Sequence, residues 1–357
     1  MTLLVDIRKN YPGFSLDVQF ETKSGVLALL GASGCGKSMT LQCIAGIRKP
    51  DEGYISLNGQ VLFDSKRHIN LPPQKRRAGL LFQNYALFPN MTVAQNIAAG
   101  MRRDKQIQNR PQRLKELLAA FYLTDQRNHY PAQLSGGQQQ RAALARVFAS
   151  EPRMIMLDEP LSALDSYLRW QLEQELVRTL AQYDGTVLYV SHNRDEVYRL
   201  CDTVCIIDHG VSECVVEVGE LFRAPRTFSA ALLSGCKNFS RAEKTGKKTA
   251  YAADWQYEVT AVRDVPDGIR YIGVRAHSLS PAAVPEIAIQ ENTLPCVVER
   301  VTDDVFGTIV TLRPVNAQAN TDFSYLRMEI SKPAAKDLRA GETIPVGFFG
   351  DEVLLLT

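Results

Sequence analysis

Residues 31–38 form a glycine-rich loop whose residue types could bind a nucleoside triphosphate. The stretch fits G-x-x-x-x-G-K-[ST], in which backbone N–H groups surround phosphate oxygens. An apolar segment at 26–30 precedes it and a helix follows, so the helix N-terminus adds positive partial charge. We expect Lys37 to reach the terminal phosphates and the Ser38 hydroxyl to hold Mg²⁺. The residues predicted to contact the nucleotide here are Gly31, Ala32, Ser33, Gly34, Cys35, Gly36, Lys37, Ser38 and Met39. A strand-to-helix turn without a ligand is the alternative.

Two carboxylates, Asp158 and Glu159, directly follow the apolar segment Met154–Leu157. Parallel sheets bind ligands at the carboxyl ends of their strands, so both acids should lie at the same sheet edge as the loop. We expect Asp158 to hold Mg²⁺ through water, as the acidic partner of Ser38. Glu159 would orient or activate the attacking water as general base. A surface acidic pair is the alternative, which the preceding apolar residues disfavour.

Residues 134–138 combine a serine and two glycines directly before a helical pattern. A helix start of this composition can bind an anion. Because one phosphate loop is enough for one chain, a second anion site makes sense if it closes over the nucleotide of a partner chain. The residues concerned are Ser135, Gly136, Gly137 and Gln138. An ordinary helix cap is the alternative.

Single polar and aromatic residues at other segment ends complete the set of candidates. Gln83 ends the apolar segment 78–82, where its amide could touch Mg²⁺ or the attacking water. His192 ends the segment 186–190 and its short extension, and Asp165 lies just after the acidic pair. Tyr11 and Phe14 are the aromatic residues that could stack on adenine.

Length and charge limit the class of protein. The 357 residues carry a net charge of +2 and are 45% hydrophobic, which predicts two or three domains with substantial cores. So small a charge provides no electrostatic footprint for nucleic acid. Seven cysteines without a C-x-x-C motif favour reduced thiols over disulfides or zinc, and we expect Cys43, Cys205 and Cys214 to fill the core. No apolar run reaches the roughly 18–20 residues of a membrane span, so we expect any membrane role to depend on a partner.

Strands alternate with helices up to about residue 235, which predicts an α/β protein with a parallel sheet. Two alternating strands, at 2–8 and 14–20, add an antiparallel part, and 91–127 is rich in helix. A basic linker then leads to short alternating segments typical of a small β barrel. We therefore predict an ATPase domain at 1–235 with a helical subdomain at about 86–150. The predicted β domain spans 236–357, with its barrel at about 290–357.

Together these motifs resemble the ATP-binding-cassette (ABC) ATPases of transporters, over about 230 residues and in family order. The motifs are the phosphate loop 31–38, the glutamine at 83, the signature 134–138, the acidic strand 154–159, the segment 162–165 and His192. The resemblance implies a homodimer in which two chains sandwich two ATP molecules. Ser135–Gln138 and Asp165 would then act on the neighbour's site, with Glu159 as base and His192 as a γ-phosphate sensor. Tyr11 is preferred over Phe14 for adenine.

Two further segments, Gln74–Arg77 and Phe82–Pro89, resemble importers that carry a C-terminal regulatory domain. The tail segments Tyr271–Arg275, Asn292–Val298 and Ile330–Ser331 resemble molybdate-type importers. The resemblance implies a peripheral ATPase at the cytoplasmic face of the cell membrane. It would contact two permease subunits through the region after Gln83 and act indirectly with an extracytoplasmic solute-binding protein.

The expected solute is an inorganic oxyanion, molybdate in particular, and sulfate, ferric iron, polyamine or sugar import are alternatives. The β domain either binds oxyanion itself or only holds the dimer together. A soluble ABC ATPase acting on nucleic acid is the competing class. Such proteins usually carry two cassettes or a long coiled coil, and neither is visible in this sequence.

Overall fold

The computed structural model describes residues 2–81, 85–101, 109–162, 164–281, 291–317 and 321–357. The chain forms two compact units, residues 1–218 and 219–357. The predicted domain boundary after residue 235 and the predicted limits of the helical subdomain stay predictions. No helix in the described ranges is both long enough and apolar enough to cross a membrane.

The elements of the first unit alternate between strands and helices after an antiparallel beginning. Its strands are β1 (Leu3–Tyr11), β2 (Phe14–Thr22), β3 (Gly25–Leu30), β4 (Glu52–Leu57), β5 (Gln60–Asp64), β6 (Ile69–Asn70), β7 (Ala78–Leu81), β8 (Met154–Asp158), β9 (Thr186–Val190), β10 (Thr203–Asp208), β11 (Val211–Ser212) and β12 (Val216–Glu217). Its helices are α1 (Lys37–Ala45), α2 (Pro73–Arg76), α3 (Val93–Gly100), α4 (Arg110–Ala120), α5 (Gly136–Ala149), α6 (Ser166–Ala181) and α7 (Arg194–Leu200), with a 3₁₀ turn at Pro131–Gln133. Helix α8 (Val218–Arg223) lies at the division between the units.

One mixed sheet organises the first unit, in the strand order β6-β5-β4-β1-β2-β11-β10-β3-β9-β8-β7, with β12 paired to β10. The strands β10, β3, β9, β8 and β7 run parallel to one another. The strands β2, β1, β4 and β5 pair in antiparallel fashion. β8 and β9 are buried throughout, which explains their continuous apolar sequences.

The second unit contains only strands and short helices in its described residues. Its strands are β13 (Asn238–Lys244), β14 (Thr249–Ala252), β15 (Tyr257–Thr260), β16 (Tyr271–Val274), β17 (Ser280–Pro281), β18 (Asn292–Asp303), β19 (Thr308–Pro314), β20 (Leu326–Ile330), β21 (Thr343–Phe348) and β22 (Leu354–Leu356). The helices are α9 (Phe228–Leu233) and α10 (Lys332–Ala335), with 3₁₀ turns at Ala276–Ser278 and Gly350–Glu352.

Two antiparallel sheets, β15-β14-β13-β16-β22 and β17-β21-β18-β19-β20, make up this unit. Trp255, Ile272, Val298 and Phe348 belong to one core that both sheets line. The predicted fold class, an α/β core with antiparallel and helical parts followed by a small all-β unit, is confirmed.

The cysteines agree with the prediction in all but one position. All seven are free thiols, and Cys43 and Cys205 are buried, where burial raises the pKa of the Cys43 thiol to about 11. Cys214 is exposed, so the expectation that it fills the core was wrong. It lies between β11 and β12, outside both strands, and therefore the apolar residues around it do not place it in the sheet.

A buried arginine holds the C-terminal end of α1. Arg76 is 1% exposed, and its Nη1 donates to the carbonyls of Cys43 and Ile44 at 2.9 and 2.8 Å. Its Nε donates to the Leu71 carbonyl and its Nη2 to Asn70 Oδ1. Desolvation lowers the pKa of Arg76 to about 10, because these acceptors are neutral. The side chain therefore satisfies helix-end carbonyls that have no partner inside the helix.

We predict that Arg76→Ala lowers the free energy of unfolding of this unit by roughly 2–4 kcal/mol, because it removes the four hydrogen bonds that Arg76 donates and opens a cavity. Thermal unfolding followed by circular dichroism measures the loss. Lys75→Ala, on the exposed side of the same short helix, is the matched control and should stay within about 0.5 kcal/mol. Equal midpoints for the two variants would contradict this role of Arg76.

Candidate active site

The glycine-rich loop lies between β3 and α1, at the carboxyl edge of the parallel strands. Lys37 is 7% exposed, and its Nζ donates to the carbonyls of Gly31 and Ala32, both at 2.8 Å. The same amine lies 3.7 Å from Cys35 Sγ. The loop thus folds around its own lysine, with Ala32, Ser33 and Gly34 exposed at its outer side.

Two glycines of the loop have no room for a side chain. A Cβ on Gly31 would lie 2.2 Å from the Ile207 carbonyl oxygen and 2.5 Å from Cys35 Sγ. Gly36 has φ +109°, and a Cβ there would meet Leu16 at 2.6 Å. Gly34 also has positive φ but faces open space. Close packing thus explains the glycines at 31 and 36, and backbone conformation explains those at 34 and 36.

Ser38 and Asp158 come together at the start of α1 and the end of β8. The Ser38 hydroxyl is hydrogen-bonded to the Asp158 carboxylate. Burial raises the pKa of Asp158, and this effect outweighs the opposite influences of the Ser38 hydrogen bond and the Lys37 charge. Ser38 and Asp158 offer a hydroxyl oxygen next to a carboxylate whose negative charge is not fully compensated. Oxygen ligands of this kind bind Mg²⁺. These two residues therefore fit the predicted metal site.

Glu159 and His192 meet where β8 and β9 end side by side. His192 Nδ1 lies 3.2 Å from Glu159 Oε1, and in the sheet Asp158 pairs with Val190. Glu159 has φ +49°, a left-handed conformation that a non-glycine residue adopts at a cost of order 1–3 kcal/mol. Its N–H donates to the Val190 carbonyl at 2.9 Å, and its own carbonyl accepts from the Ser162 hydroxyl at 3.0 Å. The turn therefore aims a constrained carboxylate at the histidine.

The signature serine caps its own helix. Ser135 Oγ accepts from the Gln138 N–H at 3.3 Å, and Gln138 Oε1 accepts from the Ser135 N–H at 2.9 Å. This is a capping box at the start of α5, which begins at Gly136 and Gly137. The action of these residues on a neighbouring chain stays a prediction. Asp165 similarly caps α6, by accepting from the Leu168 N–H at 2.9 Å.

The remaining predicted residues are distributed around the loop. The Tyr11 hydroxyl accepts from Arg48 Nη1 at 3.0 Å, and Lys9 and Arg48 lie over its ring. The Phe14 ring lies near Gly36, since a Cβ there would be 3.2 Å from it. Which aromatic residue stacks on adenine therefore stays open. Met39 packs partly buried against the core. Gln83, predicted for both water and metal, lies outside the described residues.

Two side chains of α5 that sequence reasoning missed reach the ends of other elements. Gln140 Nε2 donates to the Glu159 carbonyl at 3.1 Å. Arg146 donates to the carbonyls of Tyr85 and Ala86, shortly after Gln83, at 3.0 and 2.8 Å. The sequence carried a signal for Arg146, which interrupts the apolar stretch 142–149, but none for Gln140, which stands in the polar run 138–141.

We predict that Gly31→Ala lowers affinity for ATP by about tenfold or more, because the Ile207 carbonyl cannot yield to a Cβ without moving the loop. Titration with a fluorescent ATP analogue measures the affinity of each variant. Gly268→Ala is the control, since Gly268, like Gly31, does not have positive φ, but a Cβ there would meet no atom within 4 Å. Unchanged affinity in Gly31→Ala would show that the loop does not need this close packing.

Comparison with known proteins agrees with this geometry. The family model "ABC transporter" matches residues 15–162. The chain is 37% identical over 91% of its length to a sulfate/thiosulfate import ATP-binding protein of Chromobacterium violaceum, and covers 86% of that protein. It is 40% identical over 58% of its length to a molybdenum import ATP-binding protein of Paramagnetospirillum magneticum, and 42% identical over 64% to a spermidine/putrescine import ATP-binding protein of Thermotoga maritima. It spans 56% and 60% of those two relatives.

Solved structures resemble the chain in the same way. It is similar to the ATP-binding cassette MJ0796, solved as a dimer in a post-hydrolysis state with ADP and Pi. The TM-score is 0.53 and the identity 27%, over 61% of this chain and 99% of that one. The sequence similarity over most of the chain and the shared cassette fold establish the family: this chain belongs to the ATP-hydrolysing ATP-binding subunits of ABC importers.

Proposed function

We propose that this ATPase energises the uptake of an inorganic oxyanion, with molybdate as the expected solute, through a separate membrane permease. The supporting observation is that the relative matched over 91% of the chain is named for sulfate/thiosulfate, and another is named for molybdenum. Both names refer to tetrahedral oxyanions or their metal. Relatives named for spermidine/putrescine and for Fe(3+) ions keep polyamine and iron import as alternatives.

In the proposed reaction, Glu159 accepts the proton of the water that attacks the terminal phosphate. Its bond to His192 keeps the carboxylate at the edge of the sheet, and the constrained backbone limits its motion. Lys37 binds the terminal phosphates from within the loop. Ser38 and Asp158 would hold Mg²⁺, which supplies positive charge to the phosphate oxygens when bound.

We further propose that the active form is a homodimer, in which Ser135–Gln138 and Asp165 complete the site of the neighbouring chain. The dimeric cassette MJ0796 supports this arrangement by similarity. The start of α5 also supports it, because Ser135 and Gly136 lie exposed at a helix N-terminus, where an anion is favoured.

The permease would bind through the region after Gln83, including residues 85–101. Phe88 and Met91 are exposed there, and Arg146 anchors the segment by bonding to the carbonyls of Tyr85 and Ala86. The protein would then lie at the cytoplasmic face of the cell membrane, and an extracytoplasmic solute-binding protein would deliver the oxyanion to the permease.

We predict that Glu159→Gln keeps ATP binding but lowers hydrolysis by about 10²–10⁴-fold, because the amide cannot accept the proton of the attacking water. Phosphate release by the purified protein and titration with the ATP analogue separate the two effects. Glu151→Gln, an exposed glutamate that also has positive φ, is the control. Turnover at the wild-type rate in Glu159→Gln would refute the assignment of the base.

The solute is tested by reconstituting the chain with its permease and binding protein in liposomes. We predict ATP-dependent accumulation of radiolabelled molybdate inside the liposomes, and none of spermidine or ferric iron. Accumulation of sulfate without molybdate would support the import of an oxyanion and refute molybdate as the solute. Accumulation of spermidine or iron alone would overturn the oxyanion proposal.

A further inference from the structure

We propose that Gln140 is a positioning residue for Glu159, through which α5 sets the orientation of the general base. This inference rests on the proposed role of Glu159. Gln140 is fully buried, and its Nε2 donates to the backbone carbonyl of Glu159 at 3.1 Å. It follows the signature residues by one turn or less on the same helix, and it reaches the carboxyl end of β8 from a different element.

The Glu159 carbonyl is a sensitive point for the direction of the carboxylate. The residue stands at φ +49°, and its N–H is fixed to β9 through the Val190 carbonyl at 2.9 Å. With the N–H fixed, the carbonyl side of the residue decides how the left-handed turn is held. Ser162 bonds the same carbonyl from within the turn, so it moves with the turn. Gln140 donates to the same carbonyl from a long helix, and therefore it fixes the position of the turn relative to α5.

A contribution to the stability of the fold does not explain why residue 140 carries an amide. Its Oε1 is buried and has no hydrogen-bond partner among the residues that the structure describes. A half-satisfied buried amide is less favourable than an apolar side chain of the same shape. The bond to Glu159 is therefore the contact that accounts for an amide at this position.

The same bond connects the signature to the general base. The helix begins with the capping box of Ser135 and Gln138, and Gln140 lies in its first turns. A shift of α5 as its N-terminus binds the nucleotide of a neighbouring chain would be carried by Gln140 to the Glu159 carbonyl. Alignment of the base would in this way follow closure of the dimer.

The test compares kcat with ATP affinity in Gln140→Met, which keeps the length of the side chain and removes the donor. We expect kcat to fall about 10- to 100-fold, as for small misplacements of a reacting group, with the Kd for ATP within twofold of the wild type. Gln140→Asn moves the amide back by one methylene, and we expect the same fall in kcat and the same Kd for ATP. This second variant provides the test if Gln140→Met does not fold. Ser150→Ala is the matched control, because it removes a side-chain bond to a backbone carbonyl at the other end of α5.

A double-mutant comparison then decides whether Gln140 acts through Glu159. Adding Gln140→Met to Glu159→Gln should lower the residual hydrolysis by less than twofold, since the group that it positions is gone. A kcat within threefold of the wild type in both Gln140 variants overturns the inference, and so does an undiminished loss in the Glu159→Gln background. Wild-type turnover in Glu159→Gln alone would instead refute the proposed base, so the two failures are distinguishable.

Discussion

The parallel pairing of β3, β9 and β8 is the constraint on which the site depends. β9 lies between the other two and pairs with both, so Leu29 and Asp158 each lie opposite Val190 in the register of the sheet. The residues that follow these strands must then emerge next to one another at the same edge. The glycine-rich loop, the Asp158–Glu159 pair and His192 meet there because three buried strands end together, although they are far apart in the sequence.

Helix α5 is bonded to the rest of this unit through backbone carbonyls of turns. Gln140 donates to the carbonyl of Glu159, and Arg146 donates to those of Tyr85 and Ala86. A carbonyl oxygen has two lone pairs, so a side chain can donate to it even where a backbone N–H also does, as Ser162 does for Glu159. Arg76 does the same for the end of α1. Polar side chains in these buried positions therefore define how the turns around the site are held.

The strands, the phosphate loop and the acidic pair were predictable because each depends on local pattern. The apolar segments 154–157 and 187–190 are typical of strands that are buried on both faces, and polar residues follow each of them at the edge of the sheet. The partners of Gln140 and Arg76 were not predictable, because periodicity indicates which face of a helix is buried and not which carbonyl a buried polar group meets. The exposure of Cys214 was missed for the same reason, since apolar neighbours do not reveal that a segment leaves the sheet. Gln83 lies outside the described residues and stays a prediction.

The contacts of Lys37 divide the three N–H groups of one ammonium between different partners. Two of them donate to the Gly31 and Ala32 carbonyls at 2.8 Å. Within the described residues the remaining one has only the weak acceptor Cys35 Sγ at 3.7 Å, so it is the N–H that a phosphate oxygen can take while the two carbonyl bonds stay in place. Those two bonds already fix a long and otherwise flexible side chain, so less conformational freedom of the lysine is lost when a phosphate binds. The backbone of the loop thereby preorganises the lysine that the loop presents.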